Sequence, residues 1–158
     1  MTDTLDYALI RRVIARAVYC SIASIDEDGH PRVTPIGSVY LDHSGKGFFL
    51  EKFTSGLPLN IDRGSSICLM AVDTRIGLWL SALIKGRFKS PPAIRLRGIA
   101  GPRRDASEEE RTFFLKKVKK LRWTRGYRKL WSNFSYARDL DFSEQIPVRL
   151  GGMEIRGR

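Results

Sequence analysis

Hydrophobic and polar positions change their period several times along this chain, and each change predicts an element. In LDYALIRRVIARAV, Leu5, Leu9, Val13 and Ala17 recur every four residues with Ile10 and Ile14 beside them. That one-sided apolar stripe predicts an amphipathic helix over about 4–17. Next, Cys20, Ile22, Ala23 and Ile25 form a β-rich run that ends at the turn-forming residues 26–29. A second strand is expected from Arg32 to Leu41, stopping at the cluster 42–45, and a third begins at Gly47 and is aromatic between Phe48 and Phe53. In FTSGLPLNIDRG, Pro58 suits the first turn of a short helix that Gly64 ends. SSICLMAVD reads as strand four.

The segment 74–92 reads as an insertion, in which Leu78, Leu80, Ala82, Leu83 and Ile84 form a short apolar helix before a basic, proline-ended loop. A fifth strand is expected from Ala93 to Arg103, with Arg95 and Arg97 on one side. Ser107 and Glu110 have capping-box spacing and open a helical segment over about 107–136. A sixth strand, with a glycine bulge at Gly151 and Gly152, is expected in IPVRLGGMEIRG.

A length of 158 residues, 42% of them hydrophobic, suits a single domain over 1–158. No apolar run reaches the roughly 18 residues that span a bilayer. The acidic N-terminus does not resemble a signal peptide. A cytoplasmic protein with no membrane partner is the expectation. Cys20 and Cys68 lie inside predicted strands without metal-ligand spacing and read as buried free thiols. His30 and His43 fall in turns and read as exposed turn residues, so no metal site is expected.

Charge is uneven. Residues 1–86 hold nine Lys/Arg and nine Asp/Glu, whereas residues 87–158 hold nineteen against eight, which accounts for the whole net charge of +11. Such an excess favours anionic partners. One reading is a nucleic-acid-binding or regulatory module in which Trp123, Tyr127, Trp131, Phe134 and Tyr136 stack bases among lysines and arginines. No recognised nucleic-acid motif accompanies them.

The other reading comes from a resemblance. CSIASIDEDGHPRVTPIGSVY, GKGFFLEKFTSGLPLNIDRGSSICLMAV and AIRLRGIAGPRR together resemble the first five strands of the pyridoxamine 5'-phosphate oxidase-like family of FMN-binding split barrels. The resemblance implies a mainly β fold, a six-stranded antiparallel Greek-key split barrel with flanking helices. It also implies a homodimer with FMN in the cleft between subunits and a flavin-dependent oxidoreductase acting on a small molecule. Related barrels bind haem or deazaflavin, and a barrel that has lost its cofactor is a further alternative.

Carried over residue by residue, Thr34, Pro35 and Ile36 fall where the family's chain approaches the flavin ring. Ser55 falls at the phosphate, with Thr54 beside it, and Lys52 and Phe53 just before them join the candidate cofactor set. At the phosphate the family reads Ser-Arg-Lys and this chain reads Ser55-Gly56-Leu57, while Val39 stands where the family has a basic residue. Restoring cations at Gly56 and Leu57 is expected to tighten FMN binding. Substitutes for them are sought in Arg32, Lys52, Arg63, and in Arg87 or Arg95 reaching across a dimer. Asn60 and Trp131 complete the candidate cofactor set. Thr54 and Ser55 have a blander role open to them as caps of the short helix.

Overall fold

A computed structural model describes residues 5–52, 55–119, 122–127 and 134–153. Phe53, Thr54 and Trp131 of the candidate set lie outside the described residues. So does the far end of the expected sixth strand.

Helix α1 (Tyr7–Arg16) starts where the Asp6 side chain accepts the Leu9 amide at 3.0 Å. Its stripe buries Leu9, Ile10, Val13 and Ile14, each contributing on the order of 2 kcal/mol by leaving water. Strands β1 (Cys20–Ile25), β2 (Pro31–Ile36), β3 (Tyr40–Leu41) and β4 (Gly47–Glu51) follow, then α2 (Gly56–Asp62), β5 (Ile67–Val72) and α3 (Ile76–Lys85). After these come β6 (Ala93–Ala100), β7 (Arg104–Asp105), α4 (Glu108–Val118) and β8 (Tyr136–Ile146).

All strand pairs are antiparallel, in the order β2-β1-β5-β6-β8-β4-β3, with β7 against β8. The sheet curls into a half-barrel. On its inner face Ile22, Leu69 and Leu96 stand side by side across β1, β5 and β6, and all three are fully buried. Helix α1 lies over this face, and Leu57 and Ile61 of α2 join the same core. A second, smaller core gathers Phe48, Leu50, Ala106, Phe114, Phe134 and Ala137 around the start of β8.

The class is the expected one, mainly β with flanking helices, but the strands among the described residues number eight. One expected strand is split in two, the short β7 (Arg104–Asp105) against β8 is additional, and the last strand lies elsewhere than expected. The run expected as one strand from Arg32 to Leu41 breaks at residues 37–39 into β2 and β3. Ser38 causes the break: its hydroxyl donates to the Leu50 carbonyl at 3.0 Å and accepts the Leu50 amide at 3.1 Å, taking the chain away from β1 and onto β4. The last long strand also begins ten residues earlier than expected, at Tyr136 rather than Ile146. Residues 147–150 have no regular structure, and Gly151–Met153 form a 3-10 turn rather than a strand bulge. The bulge lies elsewhere, between Arg97 and Gly98 of β6 opposite β8. There a Cβ on Gly98 would stand 2.1 Å from the Asp141 carbonyl oxygen, so the close approach Gly98 permits is that of another backbone.

Candidate functional site

The β4–α2 connection is the part of the chain that the resemblance assigns to a phosphate, and three tethers fix its position. The Asn60 amide, buried at 2% exposure, donates to the Ser24 hydroxyl of β1 at 2.9 Å. The Ser65 hydroxyl accepts the Ile25 amide at 2.9 Å. From the opposite side, Arg138 of β8 donates to Asp62 at 2.7 Å and to the Gly101 carbonyl at 3.2 Å, and also to Glu51 of β4. Helix α2 therefore closes the gap between the β1–β2 side and the β4–β8 side of the half-barrel.

The Arg138 side chain is 1% exposed and Glu51 is 7% exposed, so a full ion pair sits inside the protein. Burial alone would pull the Arg138 guanidinium down, but the hydrogen bonds to Asp62 and Glu51 more than offset it and hold it above its ordinary value. The same bond holds the Asp62 carboxyl below its ordinary value. Arg103 adds a second cation to Glu51 at 3.1 Å and lies over the Tyr136 ring at 3.7 Å. This cluster was not legible in the sequence, because Arg138 falls in a stretch rich in exposed charges.

At the other end of the connection, Ser55 is the residue before α2, and its side chain makes no capping hydrogen bond. Around Gly56 a side chain would meet nothing within 4 Å. Leu57 is different: it is 2% exposed and belongs to the main core, so its side chain does not face a ligand. Val39, at 4% exposure, is also core. The expectation that cations restored at both 56 and 57 would tighten binding is corrected here, since only position 56 has open space.

The Ser38–Leu50 bonds bring the β2–β3 connection alongside β4, and α2, which Ser55 precedes, packs near β1 and β2. Among the described residues β2 is an end strand of the sheet, and the backbone groups along its outer edge have no strand partner there. Its side chains alternate: Ile36 is buried, Thr34 pairs with the fully buried Ile22, and Pro35 and Val33 are exposed. Lys52 extends over the Phe134 ring at 5.3 Å.

Register places Arg95 on an outward row with Met70, Ser21 and Pro35, and Arg97 on the next row with Cys68, Ala23 and Val33. This face of the half-barrel is apolar for a surface, with Val33 66% and Met70 38% exposed. Arg97 is paired with Glu144 at 2.7 Å. Arg95, half-buried, has no ion pair among the described residues.

Arg32 and Arg63 lie at the β1–β2 turn, where Arg32 holds Asp26 at 2.7 Å and Arg63 holds Glu27 at 2.8 Å. Asp26, Asp28 and His30 bring ligand atoms within 4.8 Å of one another in the same turn. Asp26 is nevertheless occupied, accepting from Arg32 and from the amides of Asp28 and His30, interactions that hold its carboxyl below the ordinary range. The cysteines are free, and burial pushes the Cys20 thiol up to about 11. It is neutral and inert at neutral pH. Trp79 bonds the Asp73 carbonyl and meets Phe88 edge to face, whereas Trp123 is almost fully exposed.

No family profile and no curated protein matches this chain. Solved structures do. A candidate pyridoxamine 5'-phosphate oxidase of Lactobacillus delbrueckii is 22% identical over 93% of this chain and 100% of its own, with a TM-score of 0.58. An FMN-binding protein of Syntrophomonas wolfei is 14% identical over 91% of this chain and 86% of its own, at 0.62. An F420 reductase is 13% identical over 86% of this chain and 94% of its own, at 0.57. The fold is therefore that of the pyridoxamine 5'-phosphate oxidase-like split barrels.

Proposed function

We propose that this split barrel binds a flavin, FMN in particular, between two copies of the chain, and acts as an oxidoreductase on a small molecule. The observation that carries the reading is the outward face of β2-β1-β5-β6. Its exposed Val33 and Met70, and Arg95, which has no ion pair among the described residues, lie on adjacent outward rows that run from β6 across β5 and β1 to β2, the strand at the end of the sheet. Apolar area of this kind on a sheet face calls for cover, and a second copy supplies it. The fold likeness to an FMN-binding protein supports the choice of cofactor.

The residues present fit a flavin. Backbone groups on the β2 edge suit the polar rim of a planar ring, and Pro35 offers it a flat apolar wall. Ser55 and the open space at Gly56 suit a phosphate, for which the free hydroxyl is a donor. The missing family cations are replaced, in this account, by Lys52 from the same chain and by Arg95 presented across the dimer. When bound, the flavin supplies the electron and hydride chemistry. The chain's own task is to hold, orient and desolvate it. The buried Arg138–Glu51 pair and the Asn60–Ser24 bond keep the β4–α2 connection rigid enough for that.

The experiment is an FMN titration followed by quenching of flavin fluorescence. Wild-type protein is expected to saturate, and Arg95→Met to weaken the affinity by roughly one to two powers of ten, the worth of one charge-assisted hydrogen bond. Equal affinity in the variant contradicts the role given to Arg95. No quenching in either protein contradicts the flavin itself.

A further inference from the structure

Helix α3 stands at the end of the β5–β6 hairpin and hides little of itself. Of its ten residues only Ala82 is buried, while Ile76, Leu80, Leu83 and Ile84 are 83%, 55%, 67% and 77% exposed. Two more apolar residues belong to the same end of the molecule. The Thr74 hydroxyl donates to the Arg16 carbonyl, which places the end of α1 beside the entry to α3. Just beyond Arg16, Val18 and Tyr19 are 70% and 57% exposed. Isolated exposed apolar residues need no explanation, but a cluster of six large ones does.

Every charged residue of the segment 74–92 is basic. No Asp or Glu occurs between Asp73 and Asp105, a stretch that carries Arg75 just before α3, Lys85 at its end and Arg87 and Lys89 after it. Asp73 is buried and accepts from Arg75 at 2.8 Å, with Arg16 at 3.7 Å, so one carboxylate answers two guanidinium groups. Lys85, Arg87 and Lys89 are exposed and have no ion pair among the described residues. The loop bearing them is anchored, because Phe88 between them is buried and packs on Trp79.

We propose that α3 is a docking element for an anionic lipid surface. It lies in the interface with Ile76, Leu80, Leu83 and Ile84 among the acyl chains and Lys85, Arg87 and Lys89 against the head groups. Charge complementarity selects this occupant. A symmetric contact between two copies through α3 would bring the same three cations together, whereas an anionic bilayer neutralises them. The sequence expectation of no membrane partner rested on the absence of a spanning segment. Among the described residues no helix is long and apolar enough to cross a membrane, but a ten-residue helix lying on the surface does not need to cross.

The test is flotation of the purified full-length protein with phosphatidylcholine vesicles, with and without phosphatidylglycerol. Wild-type protein is expected to float with the anionic vesicles only, less so as salt rises. The triple variant Leu80→Ser, Leu83→Ser, Ile84→Ser is expected to stay at the bottom. The triple variant Lys85→Gln, Arg87→Gln, Lys89→Gln is expected to lose about a hundredfold in partitioning, each cation near an anionic surface being worth roughly fivefold. All six positions are exposed, and the two variants share none. Equal flotation with neutral vesicles, or unchanged flotation in either variant, overturns the proposal. So does a sedimentation experiment in which the serine variant converts a dimer to a monomer, since α3 would then be a subunit contact.

Discussion

Arg138 and Asp62, 76 residues apart in the chain, meet at 2.7 Å where β8 passes the last turn of α2. Through this contact the helix that carries the candidate phosphate segment is tied to an interior strand of the sheet. The tie is unequal in its two partners, because the Arg138 side chain is 1% exposed and that of Asp62 is 56% exposed.

That inequality predicts different outcomes for the two residues. Arg138→Met leaves Glu51 buried beside the single half-exposed cation of Arg103, and is expected to cost about 3–5 kcal/mol of stability. Asp62→Asn removes an exposed partner and is expected to cost about 1 kcal/mol or less. Urea unfolding of both variants checks the order.

Positions 56 and 57 separate in the same way. Gly56→Arg enters open space and is expected to tighten FMN binding by about tenfold or more, at little cost in stability. Leu57→Lys places an ammonium in the main core and is expected to destabilise by about 3 kcal/mol or more. Thermal melts alongside FMN titration distinguish them.

The acid limb of stability is set in part by Arg104, which bonds Glu110 at 2.6 Å and Asp139 at 2.6 Å. Hydrogen bonds from Arg104 hold both carboxyls below their ordinary values of 4.5 and 3.8. Groups depressed in the folded state stabilise it fully above those ordinary values and lose that contribution as pH falls through the folded ones. Arg104→Met is therefore expected to lower stability at neutral pH and to flatten its fall below about pH 4. Unfolding measured across acid pH tests the sign.

Much of the fold was legible because local chemistry and tertiary packing agree. The α1 stripe, the capping box of Ser107 and Glu110, and the turns at 26–29 and 42–45 all name their elements directly. β8 was missed for a physical reason. Its inward Leu140 and Phe142 alternate with Asp139, Asp141 and Ser143, but the next position on their face is the buried Arg138, and Ala137 is buried on the opposite face in the second core, so the binary pattern fails at the start of the strand. The partners that allow the burial, Glu51 and Asp62, are remote in sequence. The candidate site was legible only in part. The resemblance located the β4–α2 connection, but a leucine in the core and a leucine facing a phosphate look alike until α2 is placed.

A related consequence concerns Gly98. Because the Asp141 carbonyl occupies the space a side chain would need, Gly98→Ala is expected to cost about 1–3 kcal/mol by displacing the β6–β8 bulge. The effect should appear in unfolding experiments and leave the FMN affinity of the folded protein unchanged.

The visible absorbance spectrum of the protein as purified decides between a flavin, a haem and an empty barrel. A yellow protein with flavin bands, releasing FMN on denaturation, is the predicted result. A Soret band would mean haem, and a colourless protein that takes up no added FMN would mean a barrel without a cofactor; either contradicts the account.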